Sequence, residues 1–327
     1  MKVLLLGATG LLGHNVLRAL QQRGHEPVLL VRHKNALRTE AGGSRLIEGS
    51  LLDEATLLQA ASGCEAVINC AGTTDMSLLH YDDYLPVNRD LCRMLIQVTD
   101  QLGIKVLVHV STVNTIGYGT AEMPADESVP MRPPFLGSYY ADSKKEGEQL
   151  ILEAARSRTE AHLIVLNPGF MIGAYDAKPS SGRLLLAGYR KPLMPTPNGG
   201  KSFVHVQDVA EAAVNALTMG RNGERYIVVN SSASMSIGDF YRLQAQTMNY
   251  RQHTMALPDG MVRVAGWLGD ALRALHIKTQ LSTRNVRQLL VHEHYDNGKA
   301  RRELQLHETP IATAVNDFFE WYKTNKI

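Results

Sequence analysis

A tyrosine and a lysine four residues apart, Tyr140 and Lys144, form the pair in this sequence best suited to proton transfer. A phenol with a pKa of about 10 is a poor base at neutral pH, whereas a neighbouring ammonium group favours the phenolate and lowers that pKa. Tyr140 could then give a proton to a carbonyl oxygen or remove one from an alcohol. The same spacing recurs at Tyr295 and Lys299, where an Asn-Gly pair should break a helix, and at Tyr322 near the chain end.

The elements around this pair are indicated by short apolar runs that alternate with amphipathic stretches. We predict strands over 3–6, 28–31, 45–48, 66–70, 106–110 and 162–166, and helices over 11–22, 54–61, 84–102 and 140–156. Strands that are apolar on both faces and separated by helices indicate a parallel sheet covered by helices. Tyr140 follows the fifth strand by one loop, so the pair should lie at the carboxyl edge of the sheet, where ligands bind.

A glycine-rich turn, Gly7-Ala8-Thr9-Gly10-Leu11-Leu12-Gly13, joins the first predicted strand to the first predicted helix. Gly7 permits a sharp turn, Gly10 lets the backbone approach a pyrophosphate, and Gly13 allows close helix–strand packing. The free N–H groups at the start of the helix can bind phosphate. Three glycines alone are a weak signal and also suit a plain βα turn. With these flanking elements they predict a dinucleotide-binding, Rossmann-type domain.

The end of the second predicted strand bears on which dinucleotide is bound. Sites selective for NAD place an acid there, but this chain has Arg32, His33 and Lys34. An arginine can pair with a 2′-phosphate through its planar guanidinium. We therefore predict NADP(H) as cofactor, with NAD less favoured. The alternative is that Arg32 and Lys34 belong to a solvated face.

After residue 166 the pattern becomes irregular and rich in proline before it turns largely helical from 236 onward. Within this part we predict strands over 202–206 and 226–229 and a helix over 209–219; further helices are predicted over 239–247, 260–275, 283–291 and 311–323. We expect an α/β chain with a doubly wound parallel sheet and a smaller, mostly helical C-terminal substrate cap. Residues 1–166 plus 202–230 would form the dinucleotide-binding domain, and 167–201 plus 231–327 the cap.

Composition and charge exclude several classes of function. The net charge of +2, without a basic run, predicts no nucleic acid partner. Three cysteines without CxxC spacing predict neither a disulfide framework nor a metal site, and suit the reducing cytoplasm. No apolar run is long enough to span a bilayer, so we also predict no membrane partner.

Taken together, these motifs resemble those of the extended short-chain dehydrogenases/reductases, in the NAD-dependent epimerase/dehydratase superfamily. The resemblance runs through nearly the whole chain, and its pieces are the glycine turn, Asn69-Cys70-Ala71-Gly72, Val87-Asn88, Val110-Ser111-Thr112, Tyr140 to Lys144, Asn167-Pro168-Gly169 and residues 204–209. Residues 125–127 and 173–179 are closest to the dihydroflavonol-reductase-like and hopanoid-associated sugar-epimerase-like branch. One departure is Gly49-Ser50, where the family commonly has Gly-Asp with the Asp on adenine.

The resemblance implies roles for individual residues. Thr112, Tyr140 and Lys144 would be catalytic, with Ser111 as the alternative hydroxyl, and Asn88 would support the active-site end of the sheet. The cofactor would contact Gly7, Thr9, Gly10, Leu11, Leu12, Arg32, Lys34, Ser50, Leu51, Cys70, Ala71, Gly72, Val110, Tyr140, Lys144, Pro168, Gly169 and Met171. The substrate would contact Thr73, Asn114, Asn167 and Phe170. No residue is expected to bind a metal.

Three further features favour structural interpretations. His205 and Asp208 resemble an acid–base pair, but a turn leading into a helix fits them better. His292 and His294 would lie on different faces of a helix, which argues against a metal site. The apolar helix that carries Trp267 is expected to be cap core or a dimer surface.

Three functions follow as hypotheses. The first is an NADPH-dependent oxidoreductase that interconverts a small-molecule ketone or aldehyde and an alcohol. The second is a nucleotide-sugar epimerase or dehydratase with tightly held NAD, and the third is a dinucleotide sensor without activity. Arg32 favours the first over the second, and the proton-relay residues argue against the third. Residues 73–85, 115–136 and 170–201 are expected to select the substrate, and the resemblance suggests a monomer or homodimer.

Overall fold

The computed structural model of the protein describes residues 1–33, 37 and 42–325. Its strands are β1 (Lys2–Leu6), β2 (Glu26–Val31), β3 (Arg45–Glu48), β4 (Ala66–Asn69), β5 (Val106–Val110), β6 (His162–Pro168), β7 (Phe170–Ile172), β8 (Leu193–Thr196), β9 (Gly200–His205), β10 (Arg225–Val228), β11 (Ser234–Ser236) and β12 (His253–Ala256). Its helices are α1 (Leu11–Gln22), α2 (Glu54–Ala61), α3 (Leu91–Leu102), α4 (Tyr139–Arg156), α5 (Gly182–Gly188), α6 (Val206–Met219), α7 (Ile237–Thr247), α8 (Asp259–Ala274), α9 (Thr283–Arg287), α10 (Gly298–Leu304) and α11 (Ile311–Asn325).

Seven strands form one parallel sheet in the order β10-β6-β5-β4-β1-β2-β3. The chain runs outward from β1 in one direction through β3, and then returns to β4 and runs in the other direction. This reversal opens a crevice between the carboxyl ends of β1 and β4, where Leu6 lies opposite Asn69. Open parallel sheets bind ligands at such a switch point. The predicted doubly wound α/β fold is confirmed.

The strand residues alternate between two apolar cores because successive side chains point to opposite faces of the sheet. Val3 and Leu5 of β1 pack with α1, α6 and α10 on one face. Leu4 and Leu6 pack with α2, α3 and α4 on the other face. All four side chains are fully buried. Both faces of the sheet are therefore covered, as the continuous apolar strands predicted.

The helix predicted over 84–102 is interrupted at its start. Residues Pro86–Asp90 form a π-helical turn, and the regular helix α3 begins only at Leu91. Pro86 carries no amide hydrogen and cannot donate in a helical ladder, so a regular helix through this position is disfavoured. A Cβ at Gly147 of α4 would lie 2.0 Å from the Asn88 carbonyl oxygen, so the wide turn packs directly on α4.

The strand predicted over 202–206 is present as β9, but the sequence pattern did not indicate the short strands β7, β8, β11 and β12. β9 pairs with β7 and β11, and β8 pairs with β12. A third apolar core, around Phe203, Phe240 and Phe318, joins these strands to α7 and α11. The helix predicted over 283–291 already ends at Arg287. The division into a dinucleotide-binding domain and a cap remains a prediction.

Candidate active site

The glycine turn between β1 and α1 leaves no space for larger residues at two positions. Gly7 has a φ of +80°, and a Cβ there would lie 2.7 Å from the Cys70 carbonyl carbon. A Cβ at Gly13 would lie 2.1 Å from the Gly7 carbonyl oxygen. The roles predicted for Gly7 and Gly13, a sharp turn and close packing, match this geometry.

The first turn of α1 is not capped by a side chain. Gly10 occupies the N-cap position, no side chain of the described residues caps the helix there, and its first turn contains no acid. The Gly10 amide donates to the Gly7 carbonyl at 3.0 Å, while the first N–H groups of the helix, beginning at Leu11, have no intrahelical acceptor. Such a helix end attracts an anion through its free N–H groups and its dipole. The turn fits the pyrophosphate of a dinucleotide.

Lys144 and Tyr140 lie at the carboxyl ends of the central strands, in the first turns of α4. Lys144 is buried, and its Nζ donates to the Val110 carbonyl oxygen at 2.7 Å. Tyr140 is half-buried. A Cβ at Gly72 would lie 3.9 Å from the Lys144 Nζ, so the end of β4 borders the same place. The structure thus brings the predicted pair to the sheet edge beside the glycine turn.

The two neighbouring hydroxyls, Ser111 and Thr112, have different partners. Ser111 Oγ donates to the Glu148 carboxylate at 2.8 Å, on the inner side of α4. The Thr112 side chain interacts with the Tyr140 phenol, and this interaction opposes the rise in the pKa of the phenol that burial causes. Thr112, rather than Ser111, is therefore the hydroxyl placed beside the tyrosine.

Burial shifts the two predicted proton-transfer groups in opposite directions. It raises the pKa of the Tyr140 phenol, and the hydrogen bond with Thr112 opposes that rise. It lowers the pKa of the Lys144 ammonium group. Our expectation that the lysine charge lowers the pKa of Tyr140 is not met in the protein itself, because the Lys144 ammonium is directed at the Val110 carbonyl.

A buried histidine lies behind the lysine. His109 Nε2 is 3.4 Å from Lys144 Nζ, and His109 Nδ1 is 3.1 Å from the Asn69 amide nitrogen. Burial first, and the Lys144 charge second, hold the pKa of His109 well below its usual value. A neutral imidazole therefore packs against the lysine without adding a second positive charge.

Glu148, which the sequence analysis did not single out, is the buried acid of the site. Its carboxylate accepts hydrogen bonds from Ser111, Thr115 and the Asn167 amide at 2.6 to 2.8 Å, and pairs with Arg225 at 2.8 Å and Lys145 at 3.3 Å. Burial raises its pKa, but the charges of Lys145 and Arg225, with the hydroxyl donors, outweigh burial and hold the pKa below its usual value. Glu148 lies four residues after Lys144 on the same helix face, a spacing from which it could have been found.

Two buried asparagines hold the loops on either side of the site. The Asn88 side chain accepts from the Thr73 amide at 2.8 Å and donates to the Thr73 carbonyl at 3.0 Å and to Ser143. The Asn167 side chain donates to the Thr112 carbonyl at 3.0 Å. Asn88 supports the end of the sheet as expected from the resemblance. Asn167 acts on the inner side, so the direct substrate contact assigned to it stays a prediction that its burial does not favour.

The other predicted contact residues lie along the carboxyl edge. Ala71, Val110 and Pro168 are buried, Cys70, Leu51, Thr73, Asn114, Phe170 and Met171 are half-buried, and Thr9, Gly10, Gly72 and Ser50 are exposed. Gly169 is required there, because a Cβ would lie 2.4 Å from the Ser202 carbonyl oxygen. Burial raises the pKa of the Cys70 thiol to about 12, so the residue stays a neutral thiol.

The adenosine end is less constrained by neighbours. Arg32, directly after β2, is exposed, and no described residue hydrogen-bonds or pairs with it. The Ser50 hydroxyl accepts from the Leu52 amide at 3.1 Å, so it is engaged in a turn within its own loop. Lys34 lies outside the described residues. The contacts assigned to these three residues remain predictions.

The structure supports the structural interpretation of His205 and Asp208. His205 accepts from the Gln207 amide at the start of α6 and lies 3.0 Å from Asp317, while Asp208 accepts from the Thr309 amide and hydroxyl. Among the residues that the structure describes, no group of three His, Cys, Asp or Glu side chains could hold a metal ion. Trp267 is 65% exposed, so the expectation of cap core at this helix is wrong.

Removal of the Glu148 charge is expected to destabilise the protein strongly. Glu148→Gln leaves Arg225 without its buried partner, which costs about 3–5 kcal/mol of unfolding free energy at neutral pH. Because the folded pKa of Glu148 is depressed, its stabilisation is complete above the ordinary pKa of 4.5 and is lost as pH falls through the folded value. The difference from wild type should therefore narrow below that pH in chemical denaturation.

Glu146→Gln is the matched control, because Glu146 lies on the same helix with a partly exposed side chain. Its loss should cost no more than about 1 kcal/mol, as for other surface ion pairs. Equal effects of the two substitutions would contradict the role given to Glu148.

Comparisons with known proteins agree with this geometry. The model of the NAD dependent epimerase/dehydratase family matches residues 3–230. Sterol demethylase protein B of Methylococcus capsulatus is 26% identical, with 99% of this chain and 98% of that protein covered. The 4-hydroxy-2-methyl-3-oxo-4-farnesyl-3,4-dihydroquinoline-1-oxide ketoreductase of Stigmatella aurantiaca is 28% identical, with 93% and 91% covered. The crystal structure of gox2253 is 26% identical and superposes with a TM-score of 0.82, covering 99% and 98%.

The family match covers more than half of the chain and includes the glycine turn, Tyr140 and Lys144. The predictions of an extended short-chain dehydrogenase/reductase and of an NAD(P)-dependent oxidoreductase are confirmed. The chain belongs to the NAD dependent epimerase/dehydratase family.

Proposed function

We propose that the protein interconverts a ketone or aldehyde and an alcohol with NADP(H) as cofactor, and that Tyr140 is the general acid and base. The observation that carries this proposal is the arrangement at the end of β5. Thr112 is the hydroxyl that acts on the pKa of the Tyr140 phenol, and Lys144, one turn further along α4, is held by the Val110 carbonyl. These are the groups that proton transfer to a carbonyl oxygen requires.

The residues of the chain would divide the work as follows. A bound nicotinamide dinucleotide supplies the hydride in reduction and accepts it in oxidation. Tyr140, whose raised pKa keeps it protonated at neutral pH, gives its proton to the substrate oxygen as negative charge develops there. Thr112 holds that oxygen in line with the phenol. Lys144, which the Val110 carbonyl holds in place, would hydrogen-bond the ribose of the nicotinamide and so hold the cofactor at the site.

The choice of NADP(H) rests on the side chains at the end of β2. Arg32 is exposed there, and its planar guanidinium could pair with a 2′-phosphate. Glu48, at the end of the neighbouring strand β3, lies 3.8 Å from His33. An acid that follows β2 itself, as an NAD-selective site has, is not present in the sequence.

An apolar substrate is the finer part of the proposal. The two relatives are named for a sterol and for a farnesylated quinoline ketone, and both match this chain over more than nine-tenths of its length. Phe170 and Met171, directly after the Pro168-Gly169 turn, are half-buried apolar side chains that such a substrate could contact. A nucleotide-sugar epimerase that retains NAD is the second candidate, favoured by the family match itself.

Tyr140→Phe is expected to retain NADPH binding and to lower kcat by about 10²–10⁴-fold, because the ring remains and only the proton is lost. The measurement pairs NADPH affinity by fluorescence titration with carbonyl reduction across a panel of ketones. Tyr139→Phe is the control, because Tyr139 is the adjacent tyrosine and its ring contacts Arg284 instead. The Arg284 Cζ lies 3.6 Å from the centre of that ring. Turnover by Tyr140→Phe at the rate of Tyr139→Phe would show that the proton comes from elsewhere.

Arg32→Glu is expected to shift the ratio of NADPH to NADH affinity by about tenfold or more toward NADH, because a charged hydrogen bond to phosphate is lost and replaced by repulsion. Dissociation constants for both cofactors give the ratio directly. Arg45→Glu makes the same charge change at the amino end of β3, on the opposite edge of the sheet, and should leave the ratio unchanged. A ratio that stays the same in Arg32→Glu would refute the 2′-phosphate assignment.

A further inference from the structure

The helix α8 presents an apolar face to the outside of the protein. With 3.6 residues per turn, one side of the helix carries Met261, Val264, Trp267, Leu268, Ala271 and Leu275. Trp267 is 65% exposed, Leu268 64% and Leu275 72%. Ile277 and Leu281, in the segment that follows, are exposed too. We refer to Met261, Val264, Trp267, Leu268 and Leu275 as the α8 face.

The opposite side of α8 packs closely against residues 281–286 of the chain. The large side chains of the α8 face would not fit there. A Cβ at Gly266 would lie 2.6 Å from Val286 Cγ2, and a Cβ at Gly269 would lie 2.3 Å from the Leu281 carbonyl oxygen. Val262 is buried on the same side. The side of α8 that contains Val262, Gly266 and Gly269 is therefore buried against the chain. The α8 face is an exposed apolar surface, which is typical of a site that binds a partner.

The α8 face is next to a segment that leads to the active site. Arg273 of α8 donates to the Met76 and Ser77 carbonyl oxygens, each at 3.4 Å, and Asn285 donates to the Met76 carbonyl at 3.0 Å. Thr73 lies three residues before Met76, and its amide donates to the Asn88 side chain, which also contacts Ser143 of α4. A partner on the α8 face would thus lie close to the segment 73–85, which we expect to contact substrate.

The charge around the face indicates what kind of partner this is. Residues 251–290 contain six Lys and Arg and two Asp, a net charge of +4. The whole chain has a net charge of +2, so the remaining residues together carry −2. The segment that carries the exposed apolar side chains is therefore positively charged, more so than the chain as a whole. Arg263 within α8, and Arg251 and Lys278 on either side of it, are exposed cations of this segment.

We propose that the α8 face docks on an anionic lipid bilayer surface. An amphipathic helix lies in such a surface with Trp and Leu among the headgroups, while flanking cations are attracted to anionic lipid. A second copy of the chain is the less favourable occupant, because a two-fold symmetric contact would bring two +4 segments together. Docking requires no spanning helix, and among the described helices none is long and apolar enough to cross a membrane.

This proposal departs from our prediction of no membrane partner and does not depend on the proposed oxidoreductase activity. It would place the segment 73–85, which we expect to contact substrate, near a surface from which an apolar compound could enter. The binding tests below use no turnover, so their failure and the failure of the proposed function are separate results.

The chain has two tryptophans, so Trp321→Phe leaves Trp267 as the sole tryptophan reporter. We expect its emission to shift to the blue, and the protein to float, with phosphatidylcholine vesicles that contain phosphatidylglycerol. Binding should weaken with added salt, because the lipid charge is then screened. Failure to float with the phosphatidylglycerol vesicles at low salt would overturn the proposal.

Leu268→Glu should lower vesicle partitioning by about tenfold or more, since one buried leucine contributes that much. Met123→Glu is the matched control: it makes the same change of charge at a loop residue that is 76% exposed. Equal partitioning of the two variants would overturn the assignment to α8. A second outcome would also overturn the proposal: the wild-type protein sediments as a dimer, Leu268→Glu dissociates that dimer, and neither protein binds vesicles. The α8 face would then be a contact between two copies of the chain.

Discussion

The carboxylate of Glu148 is buried inside the protein and is tied to four separate elements. It lies on α4, accepts from Ser111 and Thr115 after β5 and from Asn167 on β6, and pairs with Arg225 on β10. A buried charge without such partners would be strongly destabilising, so each of these elements must keep its position relative to α4. Because the first turns of α4 carry Tyr140 and Lys144, the same requirement fixes these two proposed reacting groups against the strand ends.

One consequence of this constraint is the separation of two adjacent hydroxyls. Ser111 is drawn inward by Glu148, which leaves Thr112 on the side of the Tyr140 phenol. The Thr112 backbone is held in turn by the Asn167 amide. Lys144 is anchored by the Val110 carbonyl and backed by a histidine that burial keeps neutral. The site is therefore preorganised by contacts on its inner side.

The fold could be predicted from the sequence because its signals are local. The apolar strands, the Gly7–Gly13 turn and the Tyr140–Lys144 pair are each formed by residues that are close together in sequence. Three features depended on distant partners and were missed. The first is the pairing of β9 with β7 and β11. The second is the π-helical turn at Pro86, which packs on α4. The third is the ion pair of Glu148 with Arg225, 77 residues away in sequence. The exposed side of α8 was misjudged for the same reason, since small residues at 266 and 269 decide which side packs.

We propose that inner contacts around Glu148 place Thr112, and not Ser111, at the reacting oxygen. The most direct test is kcat for carbonyl reduction in Thr112→Ala and Ser111→Ala, compared under conditions where both variants are folded. The account predicts that Thr112→Ala lowers kcat by about 10²-fold or more, as for loss of a group that stabilises the oxyanion, that Thr112→Ser restores most of it, and that Ser111→Ala keeps kcat near wild type while lowering stability. A larger loss of kcat in Ser111→Ala than in Thr112→Ala would contradict it.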